Sequence, residues 1–239
     1  MNWFRCGLLV IGGVVAAVAQ TSAGLDLNDQ GNAQFGRGNF AEAERLYNQA
    51  VQEWQALGPL YQAHMAASLV NLGLDLCAQG KRREGAEAFE QALALNRGSL
   101  GPKHIRTLNN MNLLGGVSLA LGDPDRAAAL FSEALPVERE LYPNHVELSR
   151  TLAGLAALSL REGKTEEALP PAEEALSLAV KLDENGQEAA PMYFLVAEIH
   201  RAARRPERAY PLYRKARAIC ERGSGPVSPL VARILSPRS

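Results

Sequence analysis

A repeat of 41–42 residues constrains this chain more than any other feature of its sequence. Each copy carries two small residues seven positions apart in an amphipathic run, and both markers recur at intervals of 42, 42, 41 and 41 residues. Such a period predicts similar units that must stack, because one unit alone cannot bury its apolar face. The first marker is Ala43, Gly85, Ala127, Ala168 and Ala209, and the second is Ala50, Ala92, Ala134, Ala175 and Ala216.

Each copy has the pattern of two helices joined by a tight turn. A small residue lies in the first helix, seven positions before the turn, where it allows the second helix to approach closely. These small residues are Gly31, Gly73, Gly115, Ala156 and Ala197. The turn glycines are Gly38, Gly80, Gly122 and Gly163, and Arg204 takes this place in the fifth copy.

This pattern resembles the tetratricopeptide repeat family. The resemblance rests on Gly73, Gly80, Phe89 and Ala92 and on their counterparts in the other copies. The plain period of the family is 34 residues. The longer period here, together with Gly-Pro-Lys-His at 101–104, is similar to the kinesin-light-chain type of repeat.

The resemblance implies an all-α fold, a right-handed superhelical solenoid of about five antiparallel helix hairpins plus a short C-terminal capping helix. Departures from the repeat pattern at Gly85, Ala172 and Arg204 predict looser packing in those copies. A short cap or tail is expected at 223–239, after a helical repeat domain at 24–222. The predicted hairpins are 25–57, 61–97, 104–141, 146–182 and 189–222.

Local signals predict where some helices begin. Asp123 is expected to be an N-cap with Pro124 at the first helical position, and Thr165 is expected to cap a later helix. Pro170 and Pro211 occupy the same place in successive copies. Because proline removes a helical hydrogen bond and clashes with the preceding turn, they predict a bend or a late helix start.

Residues 1–23 have the features of a secretory signal peptide. Arg5 carries the only charge, residues 6–19 are continuously apolar or glycine, and small-residue cleavage patterns end at Ala19 and Ala23. The run is shorter than the roughly 20 residues that a spanning helix needs. The sequence therefore predicts export to the periplasm or the extracellular space, with a retained N-terminal membrane anchor as the alternative.

The sequence contains no known catalytic or cofactor-binding motif, and it predicts neither an enzyme nor a cofactor. His104 and His145 follow equivalent Pro-containing turns. A metal site would need more converging ligands, so we expect each histidine to begin a first helix. Cys77 and Cys220 belong to the second and the last copy. They are expected to be unpaired, because repeats contact only their neighbours, and to be buried or semi-buried thiols.

In this family the first helices line a concave groove, so the resemblance places their polar side chains towards it. Asparagine is a poor helix former, and its amide can bond a peptide backbone; solvated positions or inter-repeat hydrogen bonds are the alternatives. The expected function is an exported scaffold that binds a peptide or a partner protein in the groove. The predicted contact residues are Asn71, Asn109, Asn112, Arg150, Arg161, Phe194, Glu198 and Arg201.

Charge is distributed unevenly along the chain. Residues 200–239 hold ten Lys and Arg residues against Glu207 and Glu221, although the net charge of the whole chain is −1. A basic end attracts nucleic acid, anionic lipid or an acidic protein. Because an exported protein seldom meets nucleic acid, an anionic membrane surface or an acidic partner is expected. The alternatives to a groove scaffold are thus a membrane-surface adaptor or an accessory subunit of an envelope enzyme complex. The predicted anionic-partner patch is Arg204, Arg205 and Arg208.

Overall fold

The computed structural model describes residues 22–183, 186 and 188–222, and the regular structure of these residues is entirely helical. Most of the expected signal peptide and the whole of the expected cap at 223–239 lie outside them. A short 3₁₀ helix, Pro59–Tyr61, precedes the third α-helix. The α-helices of the described residues are α1 (22–36), α2 (Phe40–Leu57), α3 (Gln62–Ala78), α4 (Arg82–Ser99), α5 (Ile105–Leu121), α6 (Pro124–Leu141), α7 (Val146–Arg161), α8 (Thr165–Asp183), α9 (Ala189–Ala202) and α10 (Pro206–Arg222).

Consecutive helices pair into five hairpins, α1–α2 to α9–α10, which confirms the predicted all-α repeat fold. The chain divides into two compact units, Met1–Pro102 and Lys103–Ser239. In the first unit α2 packs against α3, and in the second α6 packs against α7 and α8 against α9. Within each unit, neighbouring hairpins therefore bury their apolar faces against one another.

An aromatic ring packed against a glycine joins the two helices of each of the first three hairpins. A Cβ atom added at any of these three glycines would lie only 2.6 Å from a ring atom, so no side chain fits there. The contacts are Gly31 with Tyr47, Gly73 with Phe89, and Gly115 with Phe131. In the fourth hairpin Ala156 and Ala172 are both fully buried, so two small side chains replace the glycine and the ring.

The prediction of looser packing at Gly85 is wrong. A Cβ atom at this position would lie 2.6 Å from Sγ of Cys77 and 2.9 Å from the carbonyl oxygen of Gly73. Glycine therefore stands here because α3 and α4 approach very closely. Both Cys77 and Cys220 are half-buried free thiols, as expected, and burial raises the pKa of each.

Arg204 adopts the backbone conformation of the glycine that it replaces. Its φ of 57° is the one positive value of a non-glycine residue in the described part of the chain, and the four turn glycines have φ between 77° and 88°. The hairpin turn thus keeps its geometry in the fifth copy. A side chain in this left-handed region is strained by about 1–2 kcal/mol.

The structure confirms one predicted cap and corrects another. Asp123 precedes α6, and its Oδ1 accepts a hydrogen bond of 3.1 Å from the backbone N–H of Arg126, with Pro124 as the first helical residue. Thr165 is itself the first residue of α8, and its hydroxyl donates to the carbonyl oxygen of Gly163 at 3.4 Å. Its side chain therefore does not accept from the helix as an N-cap would.

The two histidines begin first helices, as expected. Nδ1 of His104 accepts from the backbone N–H of Arg106 at 3.1 Å, and Nδ1 of His145 accepts from that of Glu147 at 3.2 Å. Each imidazole thus satisfies one of the N–H groups that a helix start leaves without a partner.

The expected late helix start at the prolines is wrong. Helix α8 continues through Pro170 and Pro171, and α10 continues through Pro211. Each proline removes one backbone hydrogen bond early in its helix. Helix α8 persists because a stripe of fully buried alanines fixes it against its neighbours. These alanines are Ala168, Ala172, Ala175 and Ala179.

The adjacent glycines of α5 provide a matched test of the ring contact. The ring of Phe131 lies between Gly115 and Gly154 and cannot move away from an added methyl group. We expect Gly115→Ala to lower the unfolding free energy by about 1–3 kcal/mol through overpacking. Gly116→Ala should raise it by about 0.5–1 kcal/mol, because nothing lies within 4 Å of a Cβ atom there. Urea denaturation measures both, and equal effects of the two variants would contradict the ring contact.

Candidate functional site

The first helices of the second unit present one continuous exposed surface. Helix α7 contacts both α5 and α9, so residues one repeat apart lie in rows across the three helices. We call this surface the first-helix face. Its two central rows are Gly116, Ala157 and Glu198, and Leu119, Leu160 and Arg201.

Small and apolar residues form the middle of the first-helix face. Gly116 is exposed, and Ala153 and Ala157 are partly buried. Leu160 packs partly buried against the core formed by α7, α8 and α9. Phe194 lies at the α9 edge, where its ring meets that of Tyr213 edge-on at a centroid distance of 5.5 Å. The surface is thus shallow over α5 and α7 and bounded by an aromatic side chain on α9.

Two of the predicted asparagines hold neighbouring repeats together. Asn112 is only 7% exposed. Its Nδ2 donates to Oε1 of Glu138 at 3.2 Å and to Oε2 of Glu147 at 3.1 Å, and its Oδ1 accepts from the hydroxyl of Thr151 at 2.6 Å. Nδ2 of Asn109 donates to Oε1 of Glu147 at 3.1 Å. These amides therefore make the inter-repeat hydrogen bonds that were the alternative to ligand contact.

This polar network contains a buried carboxyl group. Glu138 has no exposed surface. Burial raises its pKa, the hydrogen bonds from Thr151 and Asn112 oppose the rise, and the nearby charge of Glu147 adds to it. Such a network stabilises one register of α5, α6 and α7, because displaced helices would leave these groups buried without partners.

The two predicted arginines of α7 are also engaged within the protein. The guanidinium of Arg150 donates to Oε1 of Glu147 at 2.8 Å and to the carboxylate of Glu188. The guanidinium of Arg161 donates to the carbonyl oxygen of Leu119 in the last turn of α5. Both side chains link first helices of adjacent repeats, and the second places a cation where a helix end favours one.

Glu198 joins the two helices of the fifth hairpin. Its carboxylate accepts from the hydroxyl of Tyr213, and it forms an ion pair of 2.6 Å with Arg201, which is 64% exposed. Burial and the neighbouring Glu198 raise the pKa of Tyr213 to about 12. The structure thus brings the predicted residues Phe194, Glu198 and Arg201 together at one edge of the first-helix face.

Tyr47 makes the equivalent bond in the first hairpin, where its hydroxyl donates to Oδ1 of Asn32 at 2.9 Å. The sequence contains a signal for this bond. A hydrogen-bond acceptor lies 15 residues before each tyrosine, Asn32 before Tyr47 and Glu198 before Tyr213. The same position is Leu74 before Phe89 and Gly116 before Phe131, where the second helix has no hydroxyl to bond.

An amide ladder connects the first helices of the first unit. Nδ2 of Asn71 donates to Oδ1 of Asn28 and to Oδ1 of Asn32, both at 3.2 Å. Asn71 therefore links α3 to α1 in the way that Asn109 and Asn112 link α5 to α7.

The predicted anionic-partner patch is only partly paired. Arg205 forms an ion pair of 2.7 Å with Glu166 at the start of α8. Arg204 and Arg208 are exposed, and neither has an acidic partner among residues 22–183 and 188–222.

Sequence reasoning missed a buried acid in the first unit. Asp75 has no exposed surface and stands where later copies have Val117, Leu158 and Ile199. Nε2 of Gln79 donates to Oδ2 of Asp75 at 2.7 Å. Burial raises the pKa of Asp75 to about 6, and the hydrogen bond from Gln79 opposes this rise.

The raised pKa of Asp75 predicts a pH-dependent stability. The unfolded chain loses this proton near its ordinary pKa of 3.8, and the folded chain loses it near 6. The unfolding free energy should therefore fall as the pH rises from about 4 to about 6, because the folded chain holds the proton more tightly than the unfolded chain does. Asp75→Asn keeps an acceptor for Gln79 and removes the charge. We expect the variant to be more stable than the wild type above pH 6 and to lose less stability over that interval. Urea denaturation across this range measures the difference, and identical pH profiles would contradict the assignment.

Neither a metal cluster nor a membrane span is found in the part of the chain that the structure describes. No three His, Cys, Asp or Glu side chains of residues 22–183 and 188–222 are placed to hold a metal ion. Within the same residues, every helix is too short or too polar to cross a membrane.

The family comparison concerns the middle of the chain. The tetratricopeptide repeat model matches residues 64–140 and 116–179. No curated protein matches the sequence.

Several solved structures share the fold at low sequence identity. BtubC (BKLC) from P. vanneervenii is 17% identical with a TM-score of 0.64, covering 93% of this chain and 94% of that one. A kinesin-light-chain-like protein from Podosopora anserina with nearly identical TPR-like repeats is 21% identical with a TM-score of 0.61, covering 81% and 93%. The Rap conjugation gene regulator of plasmid pLS20, in complex with the Phr* peptide, is 16% identical with a TM-score of 0.68, covering 80% of this chain and 51% of its own. This chain thus spans about half the length of the Rap protein.

Proposed function

Because the chain is a tetratricopeptide repeat protein whose repeats resemble those of kinesin light chains, we propose that it is an interaction scaffold that binds a peptide segment of a partner protein. The binding site in this proposal is the first-helix face of α5, α7 and α9, the counterpart of the groove expected from the family.

The observation that carries this proposal is Gly116. A glycine inside a helix costs about 1 kcal/mol relative to alanine. The adjacent Gly115 is required by the ring of Phe131, but Gly116 is exposed and has nothing within 4 Å of a Cβ position. Packing within the protein therefore does not explain a glycine at position 116. A partner whose backbone lies directly on α5 would explain it, since glycine allows a close approach of two backbones.

The neighbours of Gly116 suit an extended peptide. Ala153 and Ala157 continue the shallow surface across α7, and Phe194 offers an apolar wall on α9. Arg201 remains 64% exposed while it is paired with Glu198. This pair can exchange its internal bond for bonds to a peptide without leaving a buried charge behind. Peptide binding by the Rap protein of similar fold is consistent with this class of partner.

Substitution of Gly116 tests the location of the site. Peptides would be selected from a random library for binding to the full chain. Their affinities would then be measured for the wild type, for Gly116→Arg and for a control variant. Gly116→Arg should weaken binding at least about tenfold, because a long side chain would hold the peptide backbone off α5. The matched control is Gly98→Arg, since Gly98 is likewise exposed in a helix with open space above it, but on α4.

The control should bind the selected peptides like the wild type. If Gly116→Arg retains wild-type affinity, or if both variants lose affinity equally, the first-helix face is not the binding site. Circular dichroism of the variants establishes that a loss of binding is not a loss of folding.

We also propose that the scaffold acts outside the cytoplasm. The apolar run at 6–19 and the small-residue patterns after it support this proposal. The intact mass of the protein secreted by its native host should correspond to a chain that begins near Gln20 or Gly24. Detection of Met1 on membrane-bound protein would instead support the N-terminal anchor.

A further inference from the structure

An open apolar groove lies along α7 between α6 and α8. It has a volume of 420 Å³, which is in the range of sites that bind small molecules or apolar side chains. Its floor consists of Leu152, Leu155 and Leu158, and Leu135 of α6 forms part of one wall. Leu155 is only partly buried, whereas its counterpart one repeat later, Val196, is 3% exposed. Water therefore reaches a position that the next copy covers.

The next copy fills the same space with its own side chains. Ala128 and Pro171 line the groove, and the residues that correspond to them one repeat later are Leu169 and Leu212. Both leucines pack against the core that includes α8 and α9. The groove is therefore open because its walls lack two leucine side chains, and it fits aliphatic side chains of that size.

The surroundings of the groove are acidic. Glu162 and Glu174 line it, and they form ion pairs of 2.7 Å with Lys164 and 2.8 Å with Arg139. All four side chains are about half exposed, and exposed pairs contribute little, so another cation can replace either partner. The helices on the two sides have formal net charges of −2 (α6) and −4 (α8). An aliphatic segment that carries basic and no acidic residues would suit such a groove.

We propose that the groove binds residues 230–235 of the C-terminal segment of the same chain. Leu230 and Ile234 are aliphatic and stand four residues apart, with Arg233 beside them. Residues 223–239 contain two arginines and neither Asp nor Glu. The segment thus supplies the aliphatic side chains that the walls lack, together with a charge opposite to that of the two flanking helices.

The segment is long enough to reach the groove. It follows α10 within the compact unit that contains the groove. Helices α8 and α10 both pack against α9. Because packed helices lie about 8–10 Å apart, the groove on the far side of α8 is within about 20 Å of α10. The eight residues from Gly223 to Leu230 extend up to about 26 Å. No described helix needs to unfold for Leu230 to enter the groove.

Charge favours this groove over the outward side of α10, which is the other surface near the segment. Helix α10 has a formal net charge of +3. It carries Tyr210 and Arg217 where α8 has Leu169 and Leu176. A segment with two arginines is therefore repelled by α10 and attracted by α8. The groove shares no residue with the first-helix face, so this proposal is independent of the proposed function.

Disulfide trapping in the full chain tests the proposal. The starting variant has serine in place of Cys6, Cys77 and Cys220, and Ile234→Cys is added to it. Ser159→Cys places the second thiol in the groove, since Ser159 lines it. In a glutathione buffer this pair should form an intrachain disulfide, which a non-reducing gel and peptide mass spectrometry detect.

The reference pair is Ala218→Cys with Ile234→Cys, because Ala218 is exposed on α10. A segment that bound nowhere would react faster with position 218, which is much closer in sequence. We expect the groove pair to react at least about tenfold faster instead, because binding raises the effective concentration of its two thiols. If the reference pair reacts faster, or if the groove pair does not react, the proposal is wrong.

Two neighbouring alanines of α6 provide a matched control. Ala128→Leu should slow the reaction of the groove pair at least about tenfold, because it fills the groove as Leu169 does one repeat later. Ala129→Leu adds the same atoms at an exposed position and should leave the rate unchanged. Equal rates in the two variants would contradict binding in the groove.

Two further results separate this proposal from its alternatives. If the groove pair joins two chains into a disulfide-linked dimer, the groove takes the segment from a second copy and the intramolecular proposal is wrong. Ala128→Leu should bind the peptides selected for the first-helix face like the wild type. A loss of that binding would mean that the groove is not a separate site.

Discussion

The close contact between an aromatic ring and a glycine is the constraint on which the hairpins depend. Tyr47 and Phe131 are almost completely buried against glycines that could not carry even a methyl group. Such a contact determines how closely the two helices of a hairpin approach, because protein interiors are packed too densely to leave the ring elsewhere. It also determines where the first helices lie, and thus which residues share a row on their exposed face. The fourth hairpin reaches a similar result with the alanine pair Ala156 and Ala172.

Polar side chains serve mainly to keep adjacent repeats in register. Asn112 and Glu147 lie in a hydrogen-bonded network between α5 and α7, and Arg150 continues this network to Glu188. Asn112 and Glu147 have little capacity left for a ligand, since both are buried and already paired. What remains on the first-helix face is small, apolar or only loosely paired. For this reason the proposed binding site is centred on Gly116 and not on the asparagines.

The fifth hairpin combines the geometry of the others with a different outer chemistry. Its turn is the same although Arg204 replaces glycine, and its second helix buries Ala209 and Ala216 in the usual positions. The outward side of α10 nevertheless carries Tyr210 and Arg217 where α8 has Leu169 and Leu176. The outward side of α10 thus differs in chemistry from that of α8.

Much of the fold could be predicted from the sequence because the repeat signals are local. Small residues at a constant interval, turn glycines and the cap at Asp123 act within one or two helical turns, and the structure confirms them. The fate of individual polar residues was decided only by tertiary structure. Asn112 is buried because its partners Glu138 and Glu147 come from helices 26 and 35 residues further along the chain. Gly85 marks a close approach rather than a loose one because Cys77 of the preceding helix lies against it. Such pairings depend on the rotation and separation of packed helices, which a repeat period does not specify.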